Sequence, residues 1–274
     1  DSFSTGDSLA SEAHLRDTRD PIQVSNSILN PYGGLEINSL AQLVSINNPA
    51  LDYSELDFDQ FNCYYYSNDH LTSSNSPLKN GINVFSLNVR SLCAHIDEIK
   101  IFLADLADHN SYFDILCFQE TWLGHDDCDA LINIDGYTIA LQAKSCSTHG
   151  GIATYVRNDF SFEPILSVVN SPHWEGLFIR VDLNEHRHGH DGVSVVIGNV
   201  YRRPCDSVDS ITAFTEDFFS RLNELCTANT SCIVAGDFNL NLLKINSAST
   251  VQVYLNSFLA LGFYPAITLP TRLC

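Results

Sequence analysis

Two carboxylates and a carboxamide stand just past the ends of two apolar runs. Ile115-Leu116-Cys117-Phe118 leads into Gln119-Glu120-Thr121-Trp122, and Cys232-Ile233-Val234-Ala235 leads into Gly236-Asp237-Phe238-Asn239. Short apolar runs bounded by polar residues and Gly read as buried strands. Side chains at the C-terminal ends of neighbouring core strands share a crevice, where such folds place their chemistry. The expected site is therefore Mg²⁺-dependent and cleaves phosphodiesters. Glu120 suits the metal, because Mg²⁺ prefers carboxylate oxygen and keeps most of its water. Asp237 suits the positioning and deprotonation of a water molecule. Asn239 can donate to a phosphate oxygen.

Two more strand ends carry compatible groups. Asn88, in Ser86-Leu87-Asn88-Val89-Arg90-Ser91-Leu92, is placed to orient the metal or Asp237. Tyr201, in Asn199-Val200-Tyr201-Arg202-Arg203-Pro204, offers a phenol to a phosphate oxygen. Each group taken alone also has a plain reading. Asp-Phe-Asn after a strand is common turn chemistry, and Glu before Thr-Trp simply opens a loop. Five compatible groups at four strand ends favour the site.

The elements that would position these residues begin near Ile82. Strands are expected at Ile82–Leu87, Asp114–Phe118, Tyr137–Leu141, Ile152–Val156, Glu163–Val168, Leu177–Leu183, Val193–Tyr201 and Cys232–Ala235. Ile96, Ile99, Phe102, Leu103 and Leu106 mark one face of a helix, and Phe214, Phe218, Phe219, Leu222 and Leu225 mark a second. A third helix is expected around Val251–Leu261, and Asn184–Gly192 reads as a hairpin. Many antiparallel-looking strands with few helices imply an α/β fold, a four-layer sandwich of two packed mixed sheets flanked by helices.

Residues 1–80 differ from the rest, being acidic and rich in Ser, Asn and Asp. They read as a mostly disordered leader, with a short helix around Ile37–Val44 and a linker at Ser73–Pro77. Residues 81–274 form the expected catalytic domain. The 274-residue chain contains no Met, so an internal piece of a longer translation product is expected. It has no run of eighteen apolar residues and no signal peptide, which argues against a membrane span or secretion. The nine cysteines lack C-x-x-C spacing and read as reduced thiols of an intracellular protein. A net charge of −19 is awkward for nucleic-acid binding, so any such contact is expected to be local, metal-assisted or supplemented by another part of a parent protein.

Taken together, the motifs resemble the endonuclease/exonuclease/phosphatase superfamily. They are most similar to the apurinic-type endonuclease domain of non-LTR (LINE-type) retrotransposon polyproteins. The matching stretches are Ser-Leu-Asn88-Val-Arg-Ser-Leu, Asp114-Ile-Leu-Cys-Phe-Gln-Glu120-Thr-Trp-Leu and His149-Gly150-Gly151-Ile-Ala-Thr-Tyr-Val. Gly198-Asn-Val-Tyr201-Arg-Arg-Pro, Gly236-Asp237-Phe-Asn239-Leu-Asn-Leu-Leu and Ile267-Thr-Leu-Pro-Thr271-Arg272 follow in order.

The resemblance implies that Glu120 is the metal carboxylate, with Asn88 beside it, and that the cofactor is Mg²⁺ (or Mn²⁺). It also implies that Asp237 activates water, Asn239 binds phosphate and Tyr201 contacts the scissile phosphate. DNA is the implied partner, nicked on one strand to leave a 3′-hydroxyl that primes a reverse transcriptase on the same polyprotein, in the nucleus. Arg90 stands where apurinic endonucleases carry an acidic metal ligand, which fits the retroelement branch. Arg90, Arg202 and Arg203 are the candidate DNA contacts, a solvated loop pair being the alternative for the last two. The family pattern continues beyond Pro-Thr-Arg with segments bearing a histidine and its Asp partner, so a C-terminally truncated domain is expected. Two other readings stay open, a catalytically inactive remnant and a superfamily phosphatase acting on phosphate esters.

The other motifs carry plainer expectations. His186, His188 and His190 alternate as a metal site would require, but read as a polar hairpin tip. Trp174 reads as a strand-end anchor rather than a stacking platform for a base. Gly150-Gly151 lacks the Lys-Ser/Thr of a phosphate loop and reads as close backbone packing at a strand entry.

Overall fold

Both expected catalytic carboxylates lie at the ends of βαβ units. In the computed structural model these units are β1 (Val84–Asn88), α2 (Leu92–Asp108) and β2 (Ile115–Gln119), then β7 (Val193–Arg202), α3 (Val208–Leu225) and β8 (Ser231–Asp237). A short helix, α1 (Asn68–Thr72), precedes the first unit. Between the units lie β3 (Tyr137–Leu141), β4 (Ile152–Arg157), β5 (Ser161–Val168) and β6 (Trp174–Leu183), and α4 (Ser249–Ala260) follows the second. The structure describes residues 67–263 apart from 75, 77, 79–81, 125–130, 142–148, 169–170, 184–192, 226–230 and 243–247. The 1–66 part of the leader with its 37–44 helix, the 184–192 hairpin with its three histidines, and the Pro-Thr-Arg segment lie outside the described residues.

Parallel neighbours require a crossover, and a helix supplies it twice. The first sheet has the order β1-β2-β4-β3 and the second β5-β6-β7-β8. In both, the βαβ pair is parallel and the remaining pairings are antiparallel. The two parallel registers end at Asn88 opposite Gln119 and at Tyr201 opposite Asp237.

Alternation along the strands divides the core into layers. In β2, Leu116 and Phe118 join Ile96, Ile99 and Leu103 of α2, while Ile115 and Cys117 face the other sheet. In β7, Val195, Ile197 and Tyr201 face the first sheet, whereas Val196 and Val200 pack with Phe214 and Phe218 of α3 and Tyr254 of α4. β2 is buried along its whole length, as a strand covered on both faces must be. The result is the expected four-layer arrangement, helix–sheet–sheet–helix.

Among the boundaries that differ from expectation, three have a clear physical reason. β1 starts after Asn83, whose N–H is taken by the buried Asp114 carboxylate at 2.9 Å. β8 runs on through Gly236 to Asp237, because its pairing with β7 continues to Tyr201. Packing on the domain also begins before residue 81: Leu71 and Leu78 are buried in the α2-side core and Ser76 is buried too, so the stretch read as leader and linker contributes to the fold.

Candidate active site

Asn88 is the hub. Its Nδ2 donates to Glu120 Oε1 at 2.6 Å and to Asp237 Oδ2 at 2.8 Å, tying the ends of β1, β2 and β8 together across the two sheets. All three groups are partly exposed, as a site that admits a substrate requires. One face of Asn88 is left open: Oδ1 is buried and accepts no hydrogen bond among the described residues. Such an orphaned acceptor costs free energy unless a ligand satisfies it.

Local backbone geometry aims these side chains. Glu120 has φ +51° and Asn239 φ +47°, a left-handed conformation that non-glycine residues seldom adopt. Asp237 Oδ1 accepts the backbone N–H of Asn239 at 3.0 Å, which bends the chain directly after β8. Gly236 must be glycine: its φ is +147°, and a Cβ there would lie 1.8 Å from the Val200 carbonyl oxygen. β8 can approach β7 closely enough to present Asp237 because that atom is missing.

Tyr201 is buried and directs its phenol at Glu120, with Asp237 and Glu175 nearby. Burial pushes its pKa well above the ordinary value, and the neighbouring Glu120 charge and hydrogen bond push it further the same way. Tyr201 is therefore a protonated hydrogen-bond donor at neutral pH. Asn239 commits one amide N–H to the Arg202 carbonyl at 2.7 Å and keeps a second donor hydrogen on the same nitrogen.

The three arginines separate. Arg202 is fully buried, so its expected role as a DNA contact is corrected. Residue 202 follows Tyr201 on β7 and points to the opposite face, under α3, where its guanidinium lies 5.8 Å from the Phe214 ring. There it donates to the carbonyls of Phe238, Asn239 and Cys205, clamping the turn that carries Asn239. Burial lowers its pKa. Arg203 is about one-third exposed and pairs with the buried Glu175 at 3.0 Å. Arg90 is exposed at the end of β1, and the next N–H, of Ser91, donates to the Glu120 carbonyl at 2.8 Å.

Several supporting residues escaped the sequence reading. Gln119 is buried and donates to Asn199 Oδ1 at 2.7 Å, while Asn199 donates to the Ala153 carbonyl at 3.0 Å and to Thr154 Oγ1 at 3.2 Å. This network crosses from β7 to β2 and β4 beneath the site. Polar residues inside apolar strand runs were the available signal. Glu175 also binds the Gly151 N–H through Oε2 at 2.6 Å. Gly150 and Gly151 have φ +91° and +87°, and a Cβ on either would strike Glu175 or Thr121, in keeping with the close packing expected of them. Trp174 is buried, stacks edge-on to Phe218 and donates to Asp217, an anchor as expected.

Among the described residues no group of three or more His, Cys, Asp or Glu side chains gathers as a metal site. A metal at this centre would therefore have to be held by a smaller set. Glu120, Asp237 and the orphaned Asn88 Oδ1 are all oxygen donors, and that chemistry fits a hard cation such as Mg²⁺ or Mn²⁺ with water completing its shell. Among the described residues, no helix is long and apolar enough to cross a membrane.

The model of the Endonuclease/Exonuclease/phosphatase family matches residues 82–272. No curated protein matches the chain. Similar solved structures include the endonuclease domain of TRAS1, a telomere-specific non-LTR retrotransposon, at 14% identity and TM-score 0.44, covering 65% of this chain and 70% of that one. An AP endonuclease from Archaeoglobus fulgidus is similar at 17% identity and TM-score 0.44, covering 66% and 71%. The human Nocturnin catalytic domain is similar at 18% identity and TM-score 0.43, covering 62% and 69%.

Proposed function

From a chain that belongs to the endonuclease/exonuclease/phosphatase family, we propose a Mg²⁺-dependent DNA endonuclease of the retrotransposon type, which nicks target DNA to prime reverse transcription. The observation that carries this reading is the Asn88 bridge between Glu120 and Asp237, with the unsatisfied Asn88 Oδ1 beside it. The retroelement assignment is supported by the Asn-x-Arg-Ser-Leu stretch that ends β1 and by Pro270-Thr271-Arg272. A parent polyprotein with a reverse transcriptase and a nuclear location belong to the same proposal.

Glu120 and Asn88 Oδ1 would hold the metal, which when bound would supply positive charge to the phosphate. Asp237 takes a proton from the attacking water. Its Oδ1 is fixed by the Asn239 N–H and its Oδ2 by Asn88, so the carboxylate is oriented before substrate arrives. Tyr201 and the second amide hydrogen of Asn239 donate to non-bridging phosphate oxygens. The phosphorus–O3′ bond breaks and the departing O3′ takes a proton from solvent, leaving a 3′-hydroxyl and a 5′-phosphate. Arg203 and Arg90, on the exposed rim, contact neighbouring phosphates.

The chemistry of the ends tests the proposal. Nicked plasmid should be extended directly by a DNA polymerase, which needs a 3′-hydroxyl. Release of inorganic phosphate from soluble phosphate esters, with plasmid left intact, would replace this reading by the phosphatase one.

A further inference from the structure

Trp122 stands two residues beyond Glu120, and it is presented to solvent. The indole is 39% exposed, whereas Trp174, the other tryptophan of the chain, is 0% exposed. Of the other exposed large apolar side chains among the described residues, Ile101, Val208 and Val253 lie on helices and Leu131 in the loop before β3. Trp122 follows a strand that ends at the carboxylate pair.

Its presentation is over-determined. Trp122 has φ +52° and Glu120 φ +51°, a strained pair flanking the buried Thr121. Strain of this kind persists when surrounding contacts enforce it, and it concentrates at functional sites. Here the Trp122 N–H donates to the Gly150 carbonyl at 3.0 Å and the Thr121 N–H to the Gly151 carbonyl at 3.1 Å. Gly151 is in turn held by the Glu175 carboxylate that also pairs with Arg203. The exposed His149 ring meets the indole edge-to-face at 5.4 Å, which limits its rotation. A large apolar ring held beside a polar centre offers a flat apolar face to a partner.

We infer that Trp122, braced by His149, is a nucleobase-stacking subsite next to the cleaved phosphate. The inference rests on the nuclease reading above. Stacking suits this chain because it does not draw on positive charge. The net charge is −19 and Arg202 is buried, so the site offers a nucleic-acid backbone few cations beyond Arg90 and Arg203. Base–aromatic stacking supplies affinity regardless of sequence, because every base has a π-face. Trp122 is a positioning residue here; it takes no proton and holds no reacting atom.

Tryptophan fluorescence tests this directly, since the exposed indole is Trp122 and the buried one is Trp174. The full chain is titrated with a fluorescein-labelled thymidine oligonucleotide in EDTA, following both anisotropy of the label and tryptophan emission. An abasic oligonucleotide of the same length and charge is the control. The expected result is that the thymidine oligonucleotide binds and quenches the red-edge emission, while the abasic one binds more weakly and quenches little. Trp122→Phe should keep affinity and lose the quench. Trp122→Ala should bind about 5- to 150-fold more weakly, the loss typical for removing a stacking ring, and should no longer distinguish the two oligonucleotides. Anisotropy showing binding without quench, or equal quench by the abasic oligonucleotide, would overturn the subsite and leave the nuclease reading standing. No binding by either readout would overturn the subsite, and plasmid nicking in Mg²⁺ then decides the nuclease reading separately.

Discussion

The carboxamide of Asn88 meets the carboxylate of Asp237 at 2.8 Å across 149 positions of sequence, and it holds Glu120 in the same grip. One amide nitrogen thereby aligns two negative groups from two sheets. Removing it should be felt in activity more than in stability. Asn88→Ala is expected to slow plasmid nicking roughly 100-fold, in line with about 1.5–3 kcal/mol for hydrogen bonds to charged groups. Its melting temperature should respond less to added Mg²⁺ than that of the parent, because Oδ1 is a proposed ligand. A variant that nicks and binds Mg²⁺ like the parent would remove Asn88 from the site.

Two neighbouring arginines, the last residue of β7 and the one just beyond it, should behave oppositely. Arg202→Ala strands the carbonyls of Phe238, Asn239 and Cys205 in a buried cavity. A destabilisation of about 3 kcal/mol follows, or roughly 6–12 °C in melting temperature. Arg203→Ala opens a partly exposed ion pair and should cost about 1 kcal/mol or less, with weaker DNA binding as its main effect. Thermal denaturation of both variants checks the assignment, and equal losses would contradict it.

Gly236→Ala is predicted to fail as a folded protein. Its Cβ would sit 1.8 Å from the Val200 backbone, which has no flexible end to move aside. Gly151→Ala meets the Thr121 hydroxyl at 2.6 Å and should fold, with its effect confined to the Glu120–Trp122 turn. Circular dichroism and nicking rates separate the two outcomes.

Alkaline pH should destabilise the chain through two phenols, those of the buried Tyr201 and the half-buried Tyr137. Burial raises the pKa of Tyr201 and of Tyr137 above the ordinary value of 10.0. Their folded-state pKa values exceed the unfolded ones, so the unfolded state binds fewer protons once pH passes about 10. Stability is therefore full below that pH and falls as pH rises through it. Tyr201→Phe should flatten part of the decline in denaturant midpoints measured between pH 9 and 11, and an unchanged decline would argue against a buried, protonated Tyr201.

The strand ends were legible because apolar runs stop at polar residues, and this sufficed to single out Glu120 and Asp237. Asn88 was expected to orient the metal or Asp237, but its bonding to both carboxylates at once was not legible, because it depends on how two sheets pack. The sequence reading stopped β7 at Tyr201 and β8 at Ala235, whereas pairing carries them to Arg202 and Asp237. That one-residue difference in β7 decided Arg202. Period-two alternation sends residue 202 to the helix face opposite Tyr201, into the core, while a loop residue would have been free to reach DNA. Glu175 and Asn199 were hidden for a related reason, being polar groups satisfied by partners on the other sheet.

Nicking of supercoiled plasmid by the purified chain with Mg²⁺, beside the same reaction in EDTA and with Asp237→Ala, tests the central claim most directly. Nicking by the parent that is lost in EDTA and in folded Asp237→Ala is the predicted result. Asp237→Ala protein that cuts as fast as the parent, or folded parent protein that leaves the plasmid supercoiled, would contradict it.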